Sequence, residues 1–225
     1  MRSNSSTRSP STERPVAGRR RLLFAAAALL AGCGRKPAPL AAVPPGSTVL
    51  ALGDSLTYGT GAPRGASYPE QLAALTGWNV VNAGVAGNTA AQARERLGPL
   101  LDRHAPKLVL LSIGGNDFLR RVPESTTREH IEAMLDAIAA AGAQAVLVAV
   151  PQPAVVAALL RSLDDHPLYE QIAGQRGVPL FAAGWARVLS DPALKSDQIH
   201  ANADGYQRFA RDLHAFLRER GLAPR

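Results

Sequence analysis

The stretch LVLLS at residues 108–112 is apolar at its first four positions, and AVLVAV at residues 145–150 is apolar throughout. A strand with one face in water alternates between apolar and polar residues, whereas a strand covered on both faces does not. The two stretches are therefore predicted to be central strands of a parallel sheet that lies between two layers of helices.

The sequence on either side of these stretches alternates between short apolar and longer amphipathic segments. Thr126 and Glu129 fit a capping box at the start of one helix, and Gly142 fits the position just past its end. The alternation predicts an α/β domain with three layers, α/β/α, and a central five-stranded parallel sheet. The predicted strands are 48–52, 79–81, 108–112, 145–150 and 179–182, and the predicted helices are 68–75, 89–103, 127–141, 167–176 and 203–220.

The net charge of +7 is concentrated at the start of the chain. Residues 1–33 contain six arginines and one glutamate, while the other 192 residues contain 19 basic and 17 acidic side chains. The body of the chain is thus nearly neutral and lacks the basic surface that nucleic-acid binding requires. We therefore expect no nucleic-acid partner.

The first 33 residues have the pattern of an export signal. Three arginines at residues 19–21 precede LLFAAAALLA, an apolar stretch of ten residues that is too short to cross a bilayer as a mature helix. The sequence LAGC that ends at Cys33 resembles the lipobox of bacterial lipoproteins. This resemblance implies that Cys33 is lipidated and anchors the protein to a membrane at the periplasmic or extracytoplasmic face.

The sequence divides into three predicted parts. Residues 1–33 are a lipoprotein-type signal peptide, residues 34–46 are a tether rich in proline and alanine, and residues 47–225 form the folded domain. An uncleaved anchor, or an ordinary signal that happens to precede a cysteine, is the alternative. Cys33 is the only cysteine, so no disulfide can form within the chain.

Four polar clusters follow predicted strands or precede the last helix. Because ligands bind beyond the carboxyl ends of strands in open parallel sheets, we expect these clusters to meet at one edge. Each cluster alone is more typical of a turn, but four in order along the chain indicate a site. The clusters are Gly53-Asp54-Ser55, NAGVAGNT at residues 82–89, Gly114-Gly115-Asn116-Asp117 and Asp197-Gln198-Ile199-His200.

These clusters contain the groups that acyl transfer needs. A serine hydroxyl becomes nucleophilic when a histidine accepts its proton, and a carboxylate holds that histidine in the right tautomer. Ser55, His200 and Asp197 can supply the three groups. The backbone N–H of Ser55, an N–H of the glycine-rich loop at residues 86–88 and the side-chain amide of Asn116 can stabilise the oxyanion.

The same residues carry a resemblance to a known family. GDSLTYG, NAGVAGNT, IGGND and DQIH are similar to the four sequence blocks of the SGNH (GDSL) hydrolases, and the match runs in order through the whole body. The nearest branch contains bacterial arylesterases, lysophospholipases and periplasmic acyl thioesterases. The resemblance implies a flavodoxin-like fold with the strand order 2-1-3-4-5.

The resemblance also implies roles for single residues. Ser55 would be the nucleophile, and Asp197 with His200 would complete the catalytic triad. The oxyanion hole would consist of Ser55, Gly87 and Asn116. Gly84 is a rival for the glycine of the oxyanion hole, and Gly87 is preferred because in this branch the glycine before a polar residue and threonine fits that position.

One departure from the family concerns the residue after His200. The family often has proline there, whereas this chain has Ala201. Proline presets the turn into the last helix, so alanine is expected to affect only the positioning of His200.

The expected activity is hydrolysis of carboxylic esters with short to medium acyl chains, with thioesters and lysophospholipids as further candidate substrates. The alternatives are a carbohydrate acetyl esterase that acts on envelope or plant glycans, and an inactive envelope lipoprotein that binds a ligand. No cofactor is implied. Asp164-Asp165-His166 resembles a metal-ligand run, but no further ligands are spaced to complete a metal site. The oligomeric state stays open.

Two segments could shape the choice of substrate. Residues 151–160 are apolar with prolines and suit a wall for an acyl chain, and residues 60–67 suit a flexible lip. Ordinary loop packing is the alternative for both segments.

Overall fold

The computed structural model describes residues 40–152 and 163–224 of the chain. Its centre is a parallel sheet of five strands in the order β2-β1-β3-β4-β5. The sheet confirms the predicted α/β fold and the predicted strand order. The strands are β1 (Thr48–Gly53), β2 (Asn79–Gly84), β3 (Leu108–Ser112), β4 (Gln144–Val148) and β5 (Leu180–Phe181).

Helices cover both faces of the sheet. Helices α2, α7 and α8 pack together in one layer, and α3, α5 and α6 pack together in the other. This arrangement gives the three predicted layers. The helices are α1 (Ser55–Tyr58), α2 (Tyr68–Thr76), α3 (Ala90–His104), α4 (Gly115–Leu119), α5 (Glu124–Ala140), α6 (Leu168–Arg176), α7 (Gly184–Ser190) and α8 (Ala203–Glu219).

The apolar strands form the core of the domain. Every residue of β3 is buried, as expected of a strand that is covered on both faces. On the side of α7 and α8, Trp185 is fully buried and stacks on Phe209, with 3.6 Å between the ring centroids. The aromatic stack therefore holds the last helix, which follows the Asp197–His200 cluster, against α7.

The register of the sheet brings three strand ends level with one another. Gly53 at the end of β1 pairs with Gly84 of β2 on one side and with Ser112 of β3 on the other. The loops after these strands therefore start from one line at the carboxyl edge of the sheet, where the sequence places three of the polar clusters.

The predicted capping box of Thr126 and Glu129 is wrong. Helix α5 begins at Glu124, directly after Pro123, so both residues lie inside the helix. Proline fixes φ and lacks an N–H, which makes it well suited to a helix start. The sequence pattern of a capping box is therefore overridden here by a proline three residues upstream.

A capping box does exist at the start of α3. The Thr89 hydroxyl accepts a hydrogen bond from the Gln92 N–H, and the Gln92 side chain accepts one from the Thr89 N–H at 3.0 Å. This box fixes the direction in which α3 leaves the glycine-rich loop. The prediction that Gly142 lies just past the end of a helix is confirmed. Gly142 follows the end of α5 in the left-handed region, with φ of +72°.

Three short helices were not predicted. Helices α1, α4 and α7 contain four, five and seven residues, which is too short for a helical period to be recognised in the sequence. Helices α1 and α4 both begin at the carboxyl edge of the sheet and carry polar residues of the predicted site.

The chain enters the domain at the amino edge of the sheet. The Val43 N–H donates to the Leu222 carbonyl at 2.8 Å, and the Trp78 indole donates to the Val43 carbonyl at 2.9 Å. The Gly46 N–H donates to the Gly77 carbonyl at 2.8 Å. The first and last parts of the domain thus meet at the edge opposite the polar clusters. Within residues 40–152 and 163–224, no helix has both the length and the apolar composition needed to cross a membrane.

Candidate active site

A sharp turn from β1 into α1 presents Ser55 at the carboxyl edge of the sheet. Asp54 caps α1, because its Oδ1 accepts a hydrogen bond from the Leu56 N–H at 3.0 Å. Gly53 leaves no room for a side chain, since a Cβ there would lie 2.1 Å from the Thr57 Oγ1 and 2.4 Å from the Ser112 carbonyl oxygen. Gly59 ends the helix with φ of +100°, a conformation that glycine adopts easily. The glycines on both sides of Asp54-Ser55 are therefore required by the turn.

Ser55, His200 and Asp197 lie in one hydrogen-bonded row. The His200 Nε2 is 3.0 Å from the Ser55 Oγ, and the His200 Nδ1 is 2.8 Å from the Asp197 Oδ2. Ser55 and His200 are separated by 145 residues in the chain, so only the fold brings them together. The side chain of His200 is 15% exposed and that of Asp197 is 53% exposed.

The turn that carries Asp197 and His200 is built by Asp197 itself. Its Oδ1 accepts hydrogen bonds from the N–H groups of Ile199 and His200, both at 2.8 Å. Partial burial raises the pKa of Asp197, but the hydrogen bonds from the His200 ring and from these two N–H groups outweigh it, so that the pKa lies below its ordinary value. Asp197 is therefore an ionised acceptor for the imidazole over the range of pH in which hydrolases act.

The residue after His200 is alanine, and neighbouring contacts fix the turn in place of proline. Ala201 is fully buried. The Asn202 side chain accepts from the Gly205 N–H at 2.9 Å as the N-cap of α8 and donates to the Ala193 carbonyl at 2.8 Å. These bonds tie the start of α8 to the loop before it.

Asn116 lies at the start of α4 beside the turn that carries Ser55. Its Nδ2 is 3.0 Å from the Asn88 carbonyl oxygen and 3.4 Å from the Asp54 Oδ2. The side-chain amide of Asn116 thus connects the loops after β1, β2 and β3.

The two glycines of the loop after β2 have different surroundings. A Cβ at Gly84 would lie 2.1 Å from the Tyr58 N, so Gly84 is needed for the packing of β2 against α1. Gly87 has φ of +80°, and its carbonyl accepts a hydrogen bond from Arg120 at 2.9 Å. Because Gly84 already has a packing role, the preference for Gly87 as the oxyanion donor stays the prediction.

Sequence reasoning missed Arg96 and quoted Asp117 in the third polar cluster without giving it a role. Arg96 of α3 donates to the carbonyls of Gly53 and Ala83 and to the Asn88 side chain, at 2.7, 2.6 and 2.8 Å. Asp117 is buried, and its Oδ2 accepts from the Ala90 N–H at 2.9 Å. Arg96 therefore fixes the ends of β1 and β2 and the loop after β2, and Asp117 fixes the start of α3 against α4.

Asp54 was quoted in the sequence motif but given no role. It is 3% exposed, and burial raises its pKa from 3.8 to about 6, against the opposing effects of the Leu56 N–H and of His200. An aspartate that follows a strand and precedes a short helix is a typical N-cap, which is the property by which the sequence could have identified it.

We expect the substitution Asp54→Asn to change how stability depends on pH. The unfolded chain ionises this carboxyl near pH 3.8, whereas the folded state keeps the proton up to about pH 6. Ionisation of Asp54 therefore favours the unfolded state as pH rises from 4 to 7, and it lowers the wild type's free energy of unfolding by roughly 3 kcal/mol at most. The asparagine does not ionise, so urea unfolding should show Asp54→Asn to be more stable relative to the wild type at pH 7 than at pH 4. A difference between the two proteins that is the same at both pH values would contradict the prediction.

A largely apolar cavity of about 410 Å³ opens beside Ser55. Of the segment 151–160 that was predicted to form an acyl wall, Pro151 and Gln152 line the cavity, and residues 153–160 lie outside the described part of the chain. The cavity is lined by Asp54, Ser55, Leu56, Gly115, Asn116, Leu119, Val150, Pro151, Gln152, Leu163, Leu189, Gln198 and Ile199.

The segment 60–67, predicted to form a lip, lies against the loop that carries His200. A Cβ at Gly61 would lie 2.0 Å from the Ser196 Oγ and 2.5 Å from the Ala201 carbonyl oxygen. The Tyr206 hydroxyl donates to the Thr60 carbonyl at 2.7 Å. This close packing supports the ordinary loop alternative for the first part of the segment.

Two side chains of the run Asp164-Asp165-His166 make contacts within the protein. Asp165 accepts a hydrogen bond from the Ala183 N–H, and the His166 ring stacks on Phe118 with 3.9 Å between the centroids. These contacts fix the loop before α6 against β5 and α4.

Comparisons with known proteins agree with the fold and the motifs. The model of the GDSL-like lipase/acylhydrolase family matches residues 51–208. Thioesterase 1/protease 1/lysophospholipase L1 of Escherichia coli K12 is 33% identical over 162 residues, which cover 70% of this chain and 76% of that protein. The arylesterase of Vibrio mimicus is 30% identical over 158 residues, which cover 68% of this chain and 78% of that protein.

Among solved structures, the esterase EstA from Pseudoalteromonas sp. has the same fold. It superposes with a TM-score of 0.67 at 22% identity and covers 77% of this chain and 97% of its own. The family match spans more than half of the sequence and includes the turn with Ser55 and the pair of Asp197 and His200. The chain therefore belongs to the GDSL-like lipase/acylhydrolase (SGNH hydrolase) family of enzymes.

Proposed function

We propose that this protein is a serine esterase in which Ser55, His200 and Asp197 form the catalytic triad. The observation that carries the proposal is the hydrogen-bonded row from the Ser55 Oγ through both ring nitrogens of His200 to the Asp197 Oδ2, at 3.0 and 2.8 Å. These distances are within the range that a nucleophile, a general base and an orienting carboxylate require.

In the first step, Ser55 is acylated. The Ser55 Oγ attacks the ester carbonyl carbon while its proton passes to the His200 Nε2. Asp197 accepts a hydrogen bond from the Nδ1–H and stabilises the imidazolium that forms. The tetrahedral intermediate then expels the alcohol or thiol, which takes the proton from His200 as it leaves.

The negative charge of the tetrahedral intermediate needs donors that are already in place. We assign this role to the N–H of Ser55, the N–H of Gly87 and the Nδ2 of Asn116. Support comes from the position of Asn116, which lines the same cavity as Ser55 and lies next to the Gly87–Asn88 loop. In the second step a water molecule attacks the acyl carbon and gives a proton to His200. The bond to the Ser55 Oγ then breaks, the Oγ takes that proton from His200, and the carboxylic acid leaves.

The apolar cavity supports an acyl chain as the part of the substrate that lies beside Ser55. Leucine, isoleucine, valine and proline side chains dominate its lining. Its volume of about 410 Å³ is within the range typical of small-ligand sites. Together with the thioesterase, lysophospholipase and arylesterase names of the two relatives, this cavity favours esters and thioesters of short to medium acyl chains and lysophospholipids.

The proposal is tested with a substrate panel on the purified protein. p-Nitrophenyl butyrate and octanoate, an octanoyl thioester and a lysophospholipid should be hydrolysed, and an acetylated xylo-oligosaccharide should be hydrolysed at least about tenfold more slowly, because its acyl group leaves the cavity empty. Faster turnover of the acetylated sugar would favour the carbohydrate esterase alternative. Failure of a fluorophosphonate probe to label the protein at all would favour the inactive ligand-binding alternative.

We also propose that the enzyme is exported and attached to a membrane through a lipidated Cys33. The support is the basic and apolar pattern of residues 1–33, which lie outside the described part of the chain. Mass spectrometry of the mature protein should find an N-terminal diacylglyceryl cysteine, and a protein that retains residues 1–32 would contradict this.

A further inference from the structure

Large apolar side chains are exposed on the segments that carry the predicted site. In the described part of the chain six large hydrophobic residues are exposed. Four of them lie in the segments after β1, β2 and β3 and before α8, which carry the predicted site. We call these four residues the apolar rim. They are Tyr58, Val85, Leu119 and Ile199, with exposed fractions of 60%, 42%, 51% and 47%.

Two members of the apolar rim line the cavity, and the other two lie on neighbouring segments of the site. Leu119 and Ile199 line the cavity on the sides of α4 and of the His200 loop. Tyr58 ends the short helix that begins with Ser55. Val85 is held next to it, because the preceding residue, Gly84, approaches the Tyr58 backbone so closely that a Cβ would not fit.

The cavity does not account for the exposure of Tyr58 and Val85. Neither residue is among those that line the cavity, and neither contributes to the hydrophobic core. A cluster of exposed apolar side chains around a binding site is a common mark of an interaction surface.

The exposed charges in three of the four loops beside the apolar rim are positive. In the loops 54–67, 85–89 and 113–123 the only acidic residues are Asp54 and Asp117, and both are buried. Three arginines in these loops are exposed, and none of them forms an ion pair with a described residue: they are Arg64, Arg120 and Arg121. The fourth loop, residues 191–202, contains the exposed carboxylates Asp191 and Asp197, and both accept hydrogen bonds within the loop.

Exposed apolar side chains beside arginines that form no ion pair with a described residue match an anionic lipid surface. The apolar groups can enter the acyl boundary of such a surface, and the arginines can pair with its phosphates. A second copy of this chain is a poorer match, because twofold pairing of the rim would bring the arginines of the two copies together.

We propose that the apolar rim docks on an anionic lipid surface, so that a lipid ester can pass from the surface into the cavity beside Ser55. The choice of substrate rests on the proposed esterase function, whereas docking itself does not. Docking would make hydrolysis of lipids in a membrane depend on side chains that hydrolysis of a dissolved ester does not need.

The test separates these two kinds of hydrolysis in the full chain carrying Cys33→Ser, so that no lipid anchor contributes. The rim variant is Tyr58→Ser with Val85→Ser, and the matched control is Leu75→Ser, which removes a side chain that is 43% exposed on α2. Each protein is assayed on p-nitrophenyl butyrate and on lysophosphatidylglycerol embedded in phosphatidylglycerol vesicles.

The rim variant should keep the rate on the dissolved ester within about twofold and lose about tenfold or more on the vesicles. The control should lose neither rate. A variant with Arg64→Gln and Arg121→Gln should lose more on phosphatidylglycerol vesicles than on phosphatidylcholine vesicles, and the loss should disappear at high salt.

Equal losses of the rim variant on both substrates, or no loss on vesicles, would overturn the proposal. A change of sedimentation from dimer to monomer in the rim variant would assign the rim to a second copy instead. If the wild type hydrolyses neither substrate, the proposed function fails. Cosedimentation with phosphatidylglycerol vesicles then still decides whether the rim variant has lost binding relative to Leu75→Ser.

Discussion

The variant Ser55→Ala should lose hydrolysis of p-nitrophenyl butyrate by about 10⁴- to 10⁶-fold. Removal of the nucleophile from a serine triad leaves only binding and the oxyanion donors to accelerate the reaction. The effect should be on kcat, because the Ser55 hydroxyl contributes little to ground-state binding of an ester. A fluorophosphonate probe should label the wild type at Ser55 and should not label the variant.

The control for this prediction is Ser196→Ala. Ser196 lies in the loop that carries His200, and its hydroxyl is 3.4 Å from the His200 carbonyl oxygen. This hydroxyl is not part of the proposed proton path, so the variant should keep its rate within a few-fold. A Ser55→Ala protein that unfolds like the wild type and keeps more than a tenth of its rate would rule out Ser55 as the nucleophile.

The second large effect is expected for Asn116→Ala. Loss of one oxyanion donor costs about 100- to 1,000-fold in kcat in other hydrolases, and KM should change little because the bond strengthens only as the oxyanion forms. The rate is measured on p-nitrophenyl butyrate over a range of concentrations that gives kcat and KM separately.

Asn116 also has a structural contact, which the controls must separate from catalysis. Its Nδ2 donates to the Asn88 carbonyl at 3.0 Å, so alanine could loosen the loop after β2. Thermal unfolding measures that loss directly. Gln152→Ala, which removes another amide side chain from the cavity lining, should change kcat by less than about threefold. A kcat for Asn116→Ala within threefold of the wild type would exclude Asn116 from the oxyanion hole.

The sheet could be predicted because its strands have no polar face. The first four residues of β3 and the last four of β4 are all apolar, which indicates burial on both faces and favours a parallel sheet between helix layers. The predicted bounds of β3 are those of the structure. Strand β2 runs to Gly84, three residues beyond its predicted end, because its last residues pair with β1 although Asn82 and Gly84 are typical of turns.

The proximity of Ser55, His200 and Asp197 could also be predicted, since their motifs lie at the carboxyl edge of the sheet. The contribution of Arg96 could not be predicted. Its hydrogen bonds reach Gly53 and Ala83, which are 43 and 13 residues away, and α3 shows the ordinary pattern of an amphipathic helix around it. A role that depends on contacts between remote segments leaves no local pattern in the sequence.

The hydrogen bond from Val43 to Leu222 puts both ends of the domain on the same pole, while the cavity opens at the other. A fused domain or a solid support joined close to Val43 or Leu222 would therefore attach at the pole away from the mouth. The enzyme could be immobilised in this way with its substrate path left open.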